Sequence, residues 1–200
     1  MSILALTSNT LIGTPAAGNI EYNGQFYGTD SNASRAQMQR ITQGTSVAST
    51  SGTSIDFTSL PAWVKRVTVM LNGVSTNGTS LVQAQIGAGS ITSSGYIFYV
   101  AYAGGTTQTT GTTYTSGLVL DAGVSGNAAT LRQGLITFVN QSSNPWAYSW
   151  NGSLNTSGSY FGLIGAGSIT LSGTLDRVRI TTVNGTDTFD AGSINILYEG

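Results

Sequence analysis

Hydrophobic and polar positions along this chain alternate mostly with period two. From Arg66 the alternation is strict, with Val67, Val69 and Leu71 on one side and Arg66, Thr68 and Met70 on the other. This is the pattern of a strand with one buried face. A longer alternation runs from Ala129 to Val139 through Leu131, Gln133, Leu135 and Thr137. Shorter runs rich in β-branched and aromatic residues predict further strands at Ser54–Phe57, Leu81–Ile86, Gly95–Tyr102, Tyr114–Leu120, Trp146–Trp150, Tyr160–Ile164, Ile169–Leu175, Arg177–Val183 and Ser193–Tyr198. Asn72-Gly73, Asn151-Gly152 and Asn184-Gly185 read as turns that close strands, and Gly44–Thr53 and Gly104–Thr113 read as loops. No helical stretch separates these strands, so the pattern excludes α/β alternation. It predicts an all-β fold, an antiparallel β-sandwich that is jelly-roll-like.

The first forty residues read differently. Ser8–Gly18 is extended and polar, and Asn23-Gly24 predicts a small hairpin over Asn19–Tyr27. Ser34–Arg40 suits a short helix or an extended lead-in to the next strand. The expected organisation is a short extended N-terminal arm with a hairpin, residues 1–42, ahead of a β-sandwich domain, residues 43–200. One repetition stands out: Ile86-Gly87-Ala88-Gly89-Ser90-Ile91-Thr92 recurs unchanged as Ile164–Thr170. A solenoid needs at least three stacked units, so the two copies read as strand-ending glycine corners of the same kind.

Composition changes the picture in three ways. Only 8% of residues are charged, against about 25% in an ordinary soluble protein. Ser and Thr (54), Asn (13) and Gly (27) take over the solubilising role, filling 94 of 200 positions. So few charges leave strand edges without their usual protection, which points to edges covered by loops, closed into a barrel, or paired with another copy of the chain. There is no His and no Cys, which removes Ser-His-Asp and Cys-His catalysis, disulfides and thiolate metal sites. Net charge is −1 with Lys65 the single lysine, so nucleic acid is not an expected partner. The longest apolar run, Tyr96–Ala103, is eight residues, far short of the ~20 of a membrane helix. No basic residue precedes Arg35, so no secretory leader is predicted.

Trp146, Tyr148 and Trp150 share one face of a strand. The row either offers flat rings for stacking on sugars or faces the core or a subunit interface. Trp63, after Leu60-Pro61-Ala62, reads as a buried anchor, with Lys65 and Arg66 within reach of Asp56 or a neighbouring copy. Asn184, Asp187 and Asp190 gather oxygens, but not at calcium-loop spacing, and read as turn residues. No catalytic residue, metal site or cofactor is expected.

Two stretches carry a resemblance. Pro15-Ala16-Ala17-Gly18-Asn19-Ile20-Glu21-Tyr22-Asn23-Gly24-Gln25-Phe26-Tyr27 resembles a short motif of virion-associated proteins of tailed bacteriophages. Ser54–Met70 with Asn72–Ser75, together with Leu171–Ser193, resembles a β-rich module at the C-termini of phage tail proteins. The resemblance implies a virion structural protein with a jelly-roll-like outer domain, a homo-oligomer of trimer type made in the host bacterial cytoplasm and carried on the particle surface. It would be a tail fibre or receptor-binding protein acting by non-catalytic adhesion to host surface glycan. The alternatives are a capsid decoration or head-fibre protein and a carbohydrate-binding module. In this reading Ile20, Tyr22, Phe26, Tyr27 and Arg35 fasten the arm to other virion proteins. Receptor contact falls to the loops Thr106–Thr113, Gly123–Asn127 and Gln141–Pro145, with Thr107, Gln108 and Asn144 beside the aromatic row.

Overall fold

A computed structural model describes residues 9–104, 107–121 and 127–200; for residues 103, 104 and 107–112 it describes the backbone alone. The chain divides into two compact units, one ending at Arg40 and the other running Ile41–Gly200. No helix occurs among the described residues.

The first unit holds a three-stranded antiparallel sheet, β1 (Ile20–Tyr22), β2 (Phe26–Thr29) and β3 (Arg35–Gln37), in that order. The hairpin turns at Asn23-Gly24, where Gly24 adopts φ +97°, and pairs Tyr22 with Phe26. The Ser34–Arg40 stretch forms a strand, correcting the short-helix reading. Asp30 accepts from the amides of Asn32 and Ser34 through Oδ1 and turns the chain back, so that Arg35–Gln37 pair with β2. A hydrogen-bonding edge on β2 thus overrides the local tolerance for helix.

The second unit begins with β4 (Ile41–Gln43), β5 (Val47–Ala48), β6 (Ser54–Thr58), β7 (Arg66–Thr76), β8 (Val82–Ala88) and β9 (Ser90–Ile91). It continues with β10 (Ile97–Gly104), β11 (Thr107–Tyr114), β12 (Leu118–Val119), β13 (Leu131–Asn140), β14 (Pro145–Thr156), β15 (Ser159–Thr170), β16 (Arg177–Thr182) and β17 (Phe189–Glu199). All pairings are antiparallel. The large sheet runs β11-β10-β15-β14-β13-β7-β17-β4, with β5 also on β17. The small one runs β12-β8-β16-β6, with β9 on β8. One hydrophobic core joins them: Val67, Val69, Ile136, Phe138 and Ile196 of the large sheet meet Ile55, Val82, Ala84, Ile86, Val178 and Ile180 of the small one. This is an antiparallel β-sandwich.

The core packs rings into hollows left by glycine. A Cβ at Gly165 would stand 2.5 Å from the Phe98 ring, and one at Gly152 would stand 2.1 Å from the Trp150 indole. One at Gly167 would stand 2.0 Å from the Ile97 carbonyl oxygen and 2.8 Å from the Tyr148 ring. Glycine here supplies space. It is therefore found inside strands that the sequence reading breaks at Asn151-Gly152 and after Ile164; β14 and β15 run unbroken through both. At Asn72-Gly73, β7 also continues, through a bulge in which Gly73 (φ +65°) faces Gly192 (φ +93°). The two identical heptapeptides differ, correcting the reading of equivalent corners. Ile86–Thr92 turns sharply at Gly89 (φ +73°) between β8 and β9, whereas Ile164–Thr170 is straight strand inside β15.

One ion pair lies wholly inside. Arg132 Nε is 2.5 Å from Asp121 Oδ1 and its Nη2 is 3.0 Å from Oδ2. Arg132 also donates to the Thr130 carbonyl, and Asp121 accepts from the Val82 amide. Every strong hydrogen-bonding direction of the pair is used, the condition under which a buried pair is tolerated. Arg132→Met would leave the Asp121 carboxylate buried without its cation. The expected loss is about 3–5 kcal/mol, read as a lower urea midpoint for the full chain with unchanged β-type dichroism.

Candidate functional site

Trp146, Tyr148 and Trp150 do share a face, but it is the inner one: their exposures are 2%, 4% and 1%. The stacking-platform reading is therefore corrected. β14 lies between β13 and β15, its aromatic row belongs to the core shared with the small sheet, and the alternate residues Ala147, Ser149 and Asn151 are the exposed ones. The polar atoms of two of these rings are absorbed internally. Trp150 Nε1 donates to the Leu120 carbonyl at 3.2 Å. The Tyr148 hydroxyl sits 3.2 Å from the Ile97 oxygen and 3.3 Å from that of Ser168, its ring against Phe98, Phe138 and Tyr96. Tyr96 accepts from the Ile86 amide and donates to the Ile86 carbonyl.

The loops expected to meet receptor do not gather. β10 ends at Gly104 beside Gly162, and β13 begins at Leu131 opposite Asn155, both toward the end where β14 turns into β15. Gln141–Pro145 lies at the opposite end. Gly104–Thr113 is mostly strand, with Gly104 facing Thr107 and Ala103 facing Gln108, which corrects the long-loop reading. The side chains of Thr107 and Gln108, and residues 105, 106 and 122–126, lie outside the described residues.

Asn144 does stand at a concave site. A cleft of about 260 Å³ is lined by Ala62, Val64, Lys65, Asn140, Ser143, Asn144, Trp146, Thr174 and Leu175. Backbone hydrogen bonds tie its three walls together: Asn140 N to Lys65 O at 2.8 Å, Leu171 N to Asn144 O at 3.1 Å, and Leu60 N to Asp176 O at 3.0 Å. Lys65 Nζ lies 3.5 Å from Asn140 Oδ1. Trp146 forms part of the wall, and its indole N–H meets no acceptor among the described residues. A buried donor in that state is uncommon, and this nitrogen has no accessible surface through which a ligand in the cleft could reach it. Trp63 is partly buried at the same end, its ring 5.7 Å from Tyr198.

The other candidates are internally engaged. Arg66 pairs with Glu199 and Asp56 with Arg179, so Asp56 does not serve Lys65 or Arg66. Arg177 holds the Asp176 carboxyl below the usual carboxylate range. Asn184 donates to Asp187, and the Ser80 amide adds a second bond; together they lower the Asp187 pKa. Asp190 accepts from Ser75. These oxygens serve turns, and no group of three or more His, Cys, Asp or Glu among the described residues is placed to hold a metal ion. In the first unit, Arg35 is bound to Glu21 at 2.8 Å and to the Ile12 carbonyl, so its charge is already matched. Ile20 and Phe26 are exposed, Tyr22 stacks 4.9 Å from Phe26, and the Tyr27 hydroxyl reaches Gln25 at 3.5 Å.

The sequence reading placed Ser143 beside Asn144 in the loop Gln141–Pro145 but missed Lys65, Asn140 and Thr174 as their companions. Their convergence depends on strand order and leaves no local signal. No family model, no curated protein and no solved structure matches the chain.

Burial pushes the Tyr96 phenol up from 10 to about 12, against a smaller opposing pull from the Ile86 amide. Burial raises Tyr148 further, with Tyr96 adding to it. The folded state holds both rings neutral, so the stability they lend is complete below pH 10 and is lost as pH rises through 12. Absorbance titration near 295 nm is expected to show these two of the nine tyrosines ionising only with alkaline unfolding, and Tyr96→Phe to lower the midpoint less than Phe98→Ala.

Proposed function

We propose that the chain is a non-catalytic adhesion protein of a tailed-phage particle, of the tail-fibre or receptor-binding kind. It would hold hydroxyl-rich surface glycan in the cleft between Lys65, Asn140, Ser143, Asn144 and Thr174. The observation that carries the reading is that cleft: ammonium, amide and hydroxyl side chains line one concavity. Such a set suits alternating sugar hydroxyls better than an apolar ligand. One shallow site binds weakly, and many copies on one particle multiply the attachment.

Two further observations support it. The segments that resemble phage tail modules form β6, β7, β16 and β17, the frame on which the cleft is mounted. Counted as eight strands (β5, β6, β7, β8, β12, β13, β16, β17), the sheets run first-eighth-third-sixth and second-seventh-fourth-fifth. We read that order as the double Greek key of a jelly roll, a scaffold used by viral shell and lectin domains alike. β10, β11, β14 and β15 extend its larger sheet.

Asn144→Ala and Lys65→Ala, each unchanged in thermal midpoint, are expected to weaken binding of the full chain to susceptible cells about tenfold, or ~1.4 kcal/mol. Wild-type chain that fails to compete with phage for those cells overturns the adhesion reading. Gold label on the intact virion is expected at the tail; label over the head would instead assign a decoration or head-fibre protein.

A further inference from the structure

The charges of the second unit are distributed unevenly. Residues 67–120 and 133–175 contain no Asp, Glu, Lys or Arg, and those stretches build β10, β11, β14, β15 and nearly all of β13. Register turns this into a surface. Across β10, β15, β14 and β13 the outward rows read Ile97, Ser168, Ala147, Val139; Tyr99, Ala166, Ser149, Thr137; and Ala101, Ile164, Asn151, Leu135. A fourth row sets Gly162 beside Ser153 and Gln133, and a last one sets Tyr160 beside Asn155 and Leu131. Ile97 is 73% exposed, Tyr160 68%, Ile164 67% and Leu135 50%. A shallow depression on this face is lined by Tyr99, Ala101, Ile164, Gly165 and Ala166. The opposite outer face, on the small sheet, carries Asp56 paired with Arg179 and Asp176 paired with Arg177. That face is dressed for water, and the large sheet's face is not.

From this contrast we infer that the outer face of β10, β15, β14 and β13 is the contact with a sister copy of the chain. Its size fits. At roughly 150–250 Å² for a large side chain laid bare, seven exposed residues (Ile97, Tyr99, Leu131, Leu135, Val139, Tyr160, Ile164) supply several hundred square ångströms. The alanines and hydroxyls between them bring the face to the order of the ~800 Å² each partner gives a standard interface. Its charge fits as well. Copies related by symmetry set like patches against like, so any net charge on such a patch meets itself and repels. This patch has none; the nearest charges, Arg66 and Glu199, lie at its margin and neutralise each other at 3.2 Å. A partner of different chemistry would be recognised by complementary charge, which the face does not offer. Two copies face to face, or three turned inward about an axis, satisfy the same chemistry.

The test is the mass of the full chain in solution by sedimentation across the micromolar range. Wild type is expected to weigh two or three chains, and Ile164→Lys and Leu135→Lys, each made separately, one. Thr58→Lys, on the exposed outer side of β6, is expected to keep the wild-type mass. Hydroxyl-radical footprinting needs no variant: Tyr160 and Tyr99 are expected to be protected severalfold in concentrated against dilute wild type. A wild type that stays monomeric overturns the inference. So does an oligomer that survives both lysines, or one that leaves Tyr160 and Tyr99 equally reactive at both concentrations. The glycan reading is untouched by either outcome, since the cleft lies at the end of the sandwich and is read by cell binding.

Discussion

Interlocking of aromatic rings with glycine on neighbouring strands is the constraint round which the larger unit is built. Rings of this size bury far more apolar surface than any aliphatic side chain in the core, but two stacked sheets lie only about 10 Å apart. Trp150, Tyr148 and Phe98 fit that gap because Gly152, Gly165 and Gly167 surrender the volume of a Cβ where the rings lie. Dense packing leaves little room for substitution on either side of such a pair. It also fixes register: a slip of one residue would turn the whole ring row to the opposite face of the sheet, away from its glycines. The length of β14 and β15, twelve residues each, follows from this fit more than from any intrinsic strand preference.

With the rings inside, the polar work falls to backbone and small side chains. The Tyr148 and Trp150 polar atoms are taken up by carbonyls of the surrounding strands, and Tyr96 closes a two-way bond with Ile86. What remains at the surface is a division of labour among three regions. One face is ionic, one is neutral and aliphatic, and one end carries a polar cleft held by three connected walls.

Much of the strand content is legible in the sequence because period two survives any arrangement of the sheets. Val67, Val69 and Leu71 are buried as their alternation requires, whereas Leu131, Leu135 and Val139 turn out to be the exposed side of β13 and Ile136 and Phe138 the buried one. What alternation does not carry is direction. It puts Trp146, Tyr148 and Trp150 together without saying which side of the sheet is covered, and that depends on β8, β12 and β16, far away along the chain. Glycine is ambiguous for a related reason. Asn184-Gly185 and Asn23-Gly24 turn, while Asn151-Gly152 lies in straight strand because Trp150 needs the space. The repeated heptapeptide makes the point within one molecule: seven identical residues bend beside β16 and run straight beside Phe98 and Tyr148. The cleft shows the limit most clearly, since only its Gln141–Pro145 side was nameable as a contact loop and the companions arrive from Ala62–Lys65 and Thr174–Leu175.

The Asp121–Arg132 pair has a consequence for how this protein can diversify. It clasps the chain at two points eleven residues apart, with the Val82 amide and Thr130 carbonyl holding the clasp to the frame. Whatever the chain does between those points, β12 and β13 leave and re-enter the sandwich at fixed positions. Doubling the length of such an excursion costs only about 0.6 kcal/mol of closure entropy. Insertions and replacements there are thereby uncoupled from the packing of the inward-facing rings, and evolution is free to rewrite that stretch while the fold beneath it stays the same.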